Sequence, residues 1–114
     1  MIPRSVEVFV GLDPIDLRWG FDRLAGIASE HLGRNPRSGA LFVFFGRRQT
    51  AMKVLFFDGT GMCMLYKRLD RGAFRIPTAP ADARSITIEQ HELDALFDGI
   101  ELVPKRRARR VVMH

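Results

Sequence analysis

Residues 41–68 read LFVFFGRRQTAMKVLFFDGTGMCMLYKR, and this segment is the most informative part of the chain about its fold. Three apolar runs within it have the length and the aromatic and β-branched content of β-strands. The predicted strands are residues 41–45, about 51–57 and about 61–68. Asp58-Gly59 separates the second run from the third, and this pair is typical of a tight hairpin turn. The stretch therefore predicts an antiparallel meander.

Basic residues crowd the turns and ends of these strands. Between Arg34 and Arg75 the chain has nine lysines and arginines against two acidic residues. Such an excess on a folded apolar scaffold favours a surface that meets phosphate groups. The predicted nucleic-acid-binding residues are Arg47, Arg48, Lys53, Lys67, Arg68, Arg71 and Arg75. The alternative interpretation is that these side chains only protect strand edges from aggregation.

On the N-terminal side of the meander, the pattern predicts one strand and one helix. Residues 6–10 are rich in β-branched side chains and end at Gly11, which favours a strand. Apolar residues then recur with helical spacing over residues 17–32, which predicts an amphipathic helix. Asp16 is placed to cap the start of this helix, and Gly33 is placed to end it in a left-handed conformation.

On the C-terminal side, residues 74–76 form a short extended segment, and residues 78–85 read as a loop rich in alanine, proline and aspartate. Thr87 and Gln90 have the spacing of a capping box, which predicts a helix over about residues 88–98. We expect the two helices to cover opposite faces of the sheet, because its strands are apolar on both faces. A dimer formed through the sheet is the alternative cover.

These elements predict an α+β protein with a single domain over residues 1–104. It would be an antiparallel meander of three to five strands packed with one long N-terminal helix and one short C-terminal helix. The tail, residues 105–114, carries a net charge of +5 without any apolar period. We expect this basic tail to be disordered when it is free, and to add only nonspecific attraction to polyanions.

Several classes of protein and site do not fit the sequence. The longest purely apolar run is residues 41–45, too short to span a bilayer, and charges at Arg4 and Glu7 do not fit a signal peptide. We therefore expect a cytoplasmic protein without a membrane partner. One cysteine and three scattered histidines offer no metal-ligand spacing, and no glycine-rich phosphate loop is present. The sequence predicts no metal, no cofactor and no catalytic residues, so the protein is not expected to be an enzyme.

Four segments together resemble a known family over about residues 1–100. They are Asp16-Leu17-Arg18-Trp19-Gly20-Phe21-Asp22, Ser38-Gly39-Ala40-Leu41-Phe42-Val43-Phe44, Lys53-Val54-Leu55-Phe56-Phe57-Asp58-Gly59-Thr60-Gly61 and Tyr66-Lys67-Arg68-Leu69-Asp70-Arg71-Gly72. The chain resembles the small accessory protein, often called TnpB, that is encoded beside the transposase in bacterial insertion sequences of the sixty-six type. Besides the basic positions, the motif residues carried over by this resemblance are Asp16, Arg18, Gly20, Asp22, Ser38, Gly39, Asp58, Gly59, Gly61 and Gly72.

The resemblance implies a non-catalytic role in transposition beside a separate, larger DDE-type transposase. The partners it implies are DNA at the ends of the element and that transposase. This chain departs from the family at a few positions. The family commonly has lysine where Trp19 stands, a basic residue where Phe45 stands, and tryptophans in the region of Phe56, Phe57 and Ile76. Losing basic positions weakens the expectation of a specific DNA contact at those places.

Two other functions stay open from the sequence. The first is a protein–protein adaptor that binds the transposase through Trp19 and the apolar sheet, with its charge serving solubility only. The second is a small basic RNA-cleaving protein, since compact αβ toxins with arginine-lined sheets exist. No acid–base pair accompanies the arginines here, which places the ribonuclease last.

Overall fold

The structure is a computed structural model that describes residues 6–98. It confirms an α+β fold of one sheet and two helices. In chain order the elements are β1 (Val8–Gly11), α1 (Phe21–Glu30), β2 (Leu41–Phe45), β3 (Ala51–Phe57), β4 (Met62–Arg68), β5 (Ser85–Ile88) and α2 (Gln90–Phe97). The predicted basic tail, residues 105–114, lies outside the described residues.

The sheet has five strands in the order β4-β3-β2-β1-β5. Strands β2, β3 and β4 form the predicted antiparallel meander, with Val43 opposite Val54 and Val54 opposite Leu65. Strand β1, however, pairs with β2 in parallel, so the sheet is mixed rather than wholly antiparallel. The reason is the connection over residues 12–40, which contains α1 and is long enough for the crossover that a parallel pair requires.

The fifth strand occupies a segment for which the sequence predicted a loop and a helix cap. Residues Ser85–Ile88 pair antiparallel with β1, and Ile88 lies opposite Val8. The predicted capping box at Thr87 and Gln90 was therefore wrong. Glu89 is the N-cap of α2, and its capping box is completed by Glu92, whose carboxylate accepts the Glu89 backbone N–H at 2.8 Å.

The N-terminal helix is shorter than predicted, because it begins at Phe21 rather than Leu17. Asp16 does not cap it. Its carboxylate accepts the backbone N–H of Arg18 at 2.9 Å, which closes a local turn instead. The backbone N–H of Ile15 donates to the carbonyl of Phe45 at 2.9 Å, so the segment before the helix is tied to the sheet. Gly33 has the predicted left-handed conformation, with φ +68°.

The two helices cover opposite faces of the sheet, as the sequence predicted. Helix α1 buries Leu24 and Ala28 against the face that carries Phe9, Phe42, Phe44 and Leu55. Helix α2 buries Leu93 and Leu96 against the other face, together with Val43, Phe45 and Phe74. Each fully buried side chain of this size stabilises the fold by about 1.5–3 kcal/mol. Within residues 6–98, no helix is long and apolar enough to cross a membrane.

Candidate functional site

Five of the predicted arginines lie at one end of the sheet, where β2 and β4 end and β3 begins. Arg47 and Arg48 occupy the turn between β2 and β3, and Arg68 is the last residue of β4. Arg71 and Arg75 follow in the segment after β4. All five side chains are exposed. We call this end of the molecule the arginine end.

The turn that presents Arg47 and Arg48 is tight and well held. The N–H of Gly46 donates to the carbonyl of Ala51 at 3.2 Å, and the N–H of Gln49 donates to the carbonyl of Gly46 at 3.0 Å. Gln49 adopts a left-handed φ of +61°, which lets the chain enter β3 with the twist of the sheet. The turn therefore holds the backbone of the two arginines in place without using their side chains.

The segment after β4 is fixed to the same turn through its backbone. The N–H of Leu69 donates to the carbonyl of Thr50 at 2.9 Å, and the N–H of Phe74 donates to the carbonyl of Gln49 at 2.6 Å. The ring of Phe74 is fully buried, with its centroid 5.6 Å from that of Phe45. These contacts hold the segment that carries Arg71 and Arg75 beside the turn.

A cleft of about 660 Å³ opens between this turn and the segment before α1. We call it the arginine cleft, because three of the arginines line it. Its lining residues are Pro14, Ile15, Asp16, Leu17, Trp19, Gly46, Arg47, Arg48, Gln49, Thr50, Ala51 and Arg68. Its wall combines guanidinium groups, backbone and one indole ring.

The positive charge of the arginine end is largely unmatched. Asp16 is the one carboxylate in the lining of the cleft, and it pairs with Arg18 at 2.7 Å. The hydrogen bonds from Arg18 lower the pKa of Asp16 to about 2, so it stays ionised and its charge is already balanced. Among the residues that the structure describes, no carboxylate lies within 4.0 Å of the guanidinium groups of the five arginines.

The two predicted lysines differ from the arginines, because both donate to backbone carbonyls of the fold, whereas Arg68 donates to the hydroxyl of Tyr66 at 3.0 Å on the exposed edge strand. Lys53 is buried, with 7% of its surface exposed, and its Nζ donates to the carbonyl of Trp19 at 2.8 Å. It therefore ties the segment before α1 to β3. Lys67 is half-buried, and its Nζ donates to the carbonyl of Phe97 at the end of α2. A cation there satisfies a free carbonyl at the C-terminal end of the helix.

Most of the remaining motif residues form turns at the opposite end of the sheet. Asp58 Oδ1 accepts the N–H groups of Thr60 at 2.9 Å and Gly61 at 3.0 Å, and these bonds lower the pKa of Asp58 to about 2. Gly59 has φ +106°, and Gly39 has φ +93°. Ser38 serves a turn at the same end, where its Oγ accepts the N–H of Ala40 at 3.2 Å. Gly72 instead lies at the arginine end, between Arg71 and Arg75, and has φ +73°.

Gly20 and Asp22 mark the start of α1. Gly20 is its N-cap residue in an extended conformation, without any side chain to cap the helix. Asp22 lies in the first turn and is exposed, where a carboxylate interacts favourably with the helix dipole. Neither residue lines the arginine cleft.

Sequence reasoning placed Trp19 inside a helix, whereas it lies just before one. Its half-buried indole packs against the α1 face of the core, and the guanidinium carbon of Arg23 lies 4.4 Å from the ring centroid. Trp19 also separates the arginine cleft from a second cleft of about 380 Å³. This second cleft is lined by Gly11, Asp13, Pro14, Ile15, Trp19, Arg23, Ile27, His31, Leu32, Phe44 and Arg84.

The second cleft could not be predicted from the sequence, because its lining comes from four separate segments. Asp13 and Arg84 form an ion pair at 3.3 Å, although they are far apart in the chain. Over residues 6–98, no group of three or more histidines, cysteines, aspartates or glutamates is arranged to hold a metal ion. The described residues thus bring together guanidinium groups and an aromatic ring, a combination that binds anionic and planar groups.

Comparison with known proteins gives one family. A model described as IS66 Orf2 like protein matches residues 6–107. Uncharacterized protein y4hO of Sinorhizobium fredii (strain NBRC 101917 / NGR234) is 42% identical over 103 residues, which cover 89% of this chain and 88% of that protein. Uncharacterized protein y4jC of the same strain is 27% identical over 104 residues, covering 91% of this chain and 87% of that protein. No solved structure matches the chain.

Proposed function

The chain belongs to the IS66 Orf2-like family, and we propose that it is a non-catalytic accessory protein of transposition that binds DNA through its arginine end. In this proposal the protein acts at the ends of an insertion sequence, in the bacterial cytoplasm. It helps the separate transposase of that element to assemble there. The phosphate contacts are made by Arg47, Arg48, Arg68, Arg71 and Arg75.

The observation that carries the proposal is the convergence of these five arginines at one end of the sheet, without a carboxylate partner among residues 6–98. Two separate segments, residues 46–50 and 68–75, deliver them, and backbone hydrogen bonds hold the two segments together. Arginines that only kept a strand edge soluble would not need this arrangement. Guanidinium groups in such a cluster favour phosphate, because each can donate two parallel hydrogen bonds to its oxygens.

Lys53 and Lys67 take a different place in the proposal from the one the sequence suggested. The ammonium group of each already donates to a backbone carbonyl of the protein itself. They stabilise the elements that present the arginines, and they add positive potential to the surface. We therefore expect their replacement to change folding before it changes the number of phosphate contacts.

Fluorescence anisotropy with duplex DNA from the terminal inverted repeat of the host element tests this function. A shuffled duplex runs in parallel, at salt concentrations from about 50 to 200 mM. The double variant Arg47→Ala, Arg48→Ala should bind more weakly. If each arginine contacts one phosphate, the slope of log K against log salt should shrink by about 1.8, since each contact contributes about 0.9.

Arg37→Ala is the matched control, because Arg37 is exposed on the segment that leads into the start of β2, at the other end of the sheet. It removes one positive charge, as the single variant Arg47→Ala does, and should leave the slope unchanged. Equal losses in Arg37→Ala and Arg47→Ala would show that only net charge matters. No binding by the folded wild-type protein to either duplex would contradict the proposal.

A second candidate function, docking to the transposase, is favoured by the edge strand β4. Leu65 and Tyr66 are 44% and 49% exposed there, one on each face of a strand with a single neighbour. Apolar side chains on an exposed edge fit the addition of a partner strand. Co-purification of the transposase with wild-type protein but not with Leu65→Lys would support this function, because this variant keeps the Tyr66 hydroxyl that accepts from Arg68.

A further inference from the structure

The arginine cleft has room for a group that a double helix keeps inside. It is a space of about 660 Å³ between the turn at residues 46–50 and the segment before α1. An uninterrupted duplex presents its phosphates and keeps its bases paired inside, so none of its bases can enter the cleft. An unpaired nucleotide can enter, because its base is free to leave the strand.

The wall of the cleft combines the two groups that unpaired strands need. Arg47, Arg48 and Arg68 supply positive charge for phosphates, and Trp19 supplies an aromatic surface. Stacking on an aromatic side chain is the usual way in which proteins hold an unpaired base. Trp19 is the only tryptophan of the chain.

Trp19 is held in place before any ligand arrives. Its backbone carbonyl accepts a hydrogen bond from the Nζ of Lys53 at 2.8 Å, and its backbone N–H donates to the carbonyl of Asp16 at 3.0 Å. Arg23 lines the second cleft and not the arginine cleft, so its guanidinium covers the indole from the side of the second cleft. The buried Lys53 therefore fixes the backbone of Trp19 beside the turn that carries Arg47 and Arg48.

We propose that the arginine cleft binds an unpaired nucleotide of DNA, with its base stacked on Trp19 and its flanking phosphates on Arg47, Arg48 and Arg68. This inference rests on the proposed function, because it needs the arginines to bind DNA. It adds that the preferred substrate is a duplex with an unpaired end rather than an uninterrupted duplex.

Three duplexes of the same terminal-repeat sequence test the inference with the wild-type protein. One is blunt, one carries an unpaired overhang of four thymidines, and one carries the same overhang built from abasic residues. The abasic overhang keeps every added phosphate and removes every added base. We expect the thymidine overhang to bind about tenfold more tightly than the abasic one, within the range measured for base–aromatic stacking. Only the thymidine overhang should quench the fluorescence of Trp19.

Two variants locate the effect at Trp19. Trp19→Leu keeps an apolar side chain without a ring, so the preference for thymidine over abasic overhang should disappear. Trp19→Phe keeps a ring and should retain most of that preference. Thermal unfolding of both variants shows whether each is folded, and the abasic probe with wild-type protein gives the answer even if Trp19→Leu does not fold.

The possible outcomes separate this inference from the function on which it rests. Equal affinity for the three duplexes, with unchanged fluorescence, would overturn the inference and leave DNA binding by the arginine end intact. No binding to any duplex would overturn both. A fourth probe, a duplex with an overhang of four uridine ribonucleotides, distinguishes DNA from RNA. Binding to it ten times tighter than to the thymidine overhang would overturn the assignment to DNA.

Discussion

At the end of the sheet where β3 turns into β4, Asp58 accepts hydrogen bonds from two backbone N–H groups, and Gly59 supplies the left-handed turn. At the opposite end, Arg47 and Arg48 also sit in a tight turn, but their side chains take no part in holding it. Both turns belong to the family motif. The first uses its polar side chains to fold, whereas the second presents them to solvent.

This difference shows that one motif can combine two kinds of requirement. Most of the aspartate, serine and glycine positions follow from backbone geometry, because they close a turn or adopt a left-handed φ, whereas Gly20 and Asp22 only mark the start of α1. The arginine positions do not follow from it, since backbone hydrogen bonds already hold their segments. The two lysines share features of both groups, because they are basic and each also donates to a carbonyl within the protein. Substitution of a turn residue or a lysine should therefore lower the stability of the fold, whereas substitution of an exposed arginine should not.

The largest effect is expected at Phe74, which anchors the segment after β4. Phe74→Ala removes a fully buried ring and should lower the free energy of unfolding by about 3–5 kcal/mol. Arg75→Ala, one residue later and exposed, should change it by less than about 0.5 kcal/mol. Urea denaturation measures both. Similar losses of unfolding free energy in the two variants would mean that the arginine side chains stabilise the fold. The proposed difference between the two ends of the sheet would then be wrong.

Lys53 should give the next largest effect. Lys53→Met keeps most of the buried stem but leaves the carbonyl of Trp19 without its donor, at a cost of about 1–2 kcal/mol. Arg37→Met is the control, since it makes the same kind of change at an exposed site and should cost less than about 0.5 kcal/mol. Denaturation midpoints of the two variants give the comparison. An unchanged midpoint for Lys53→Met would show that this lysine contributes as little to stability as an exposed arginine does.

Two glycines of one hairpin test the turn chemistry at the aspartate end. Gly59 has φ +106°, so Gly59→Ala should cost about 1–2 kcal/mol in backbone strain. Gly61 has no positive φ, and an added Cβ there meets no atom within 4 Å, so Gly61→Ala should be tolerated. Thermal unfolding distinguishes the two variants. Equal destabilisation would contradict the assignment of Gly59 to a turn that only glycine adopts easily.

The smallest effect is a dependence of stability on acid. The pKa values of Asp16 and Asp58 lie near 2 in the folded protein, below the ordinary value of 3.8. Their contribution to stability is therefore complete above about pH 4 and is lost as the pH falls through 2. Asp58→Asn keeps an oxygen acceptor and removes the titrating group. Between pH 5 and 2, the free energy of unfolding from urea denaturation should fall less for this variant than for the wild-type protein. An identical fall would mean that Asp58 does not cause the acid dependence.

Much of the fold could be predicted from local pattern. The three strands of the meander were found within one residue, because each is a short apolar run between turn residues. The prediction was wrong where a local signal competed with the sheet. Asp16 matches a helix cap in sequence, but its carboxylate is taken by Arg18 two residues later. The segment at Ser85–Ile88 resembles a helix start, yet β1 offers it a strand partner.

The candidate site could be predicted only in composition. The excess of arginine near the strand ends was visible in the sequence, and the structure brings Arg47, Arg48 and Arg68 into the lining of one cleft. The sequence could not show that Lys53 is buried, because its neighbours across the sheet and in the segment before α1 are distant in the chain. The place of Trp19 between two clefts was invisible for the same reason.

The α+β class, the meander, the glycine turns and the family could be read from the amino-acid sequence alone. These depend on interactions between residues close together in the chain, such as Asp58 with Thr60. The parallel pairing of β1 with β2, the use of basic side chains by the fold, and the presence of Trp19, Arg47 and Arg68 in the lining of one cleft became visible only in the folded molecule. These outcomes depend on packing between distant segments, and no local pattern of residues encodes that packing.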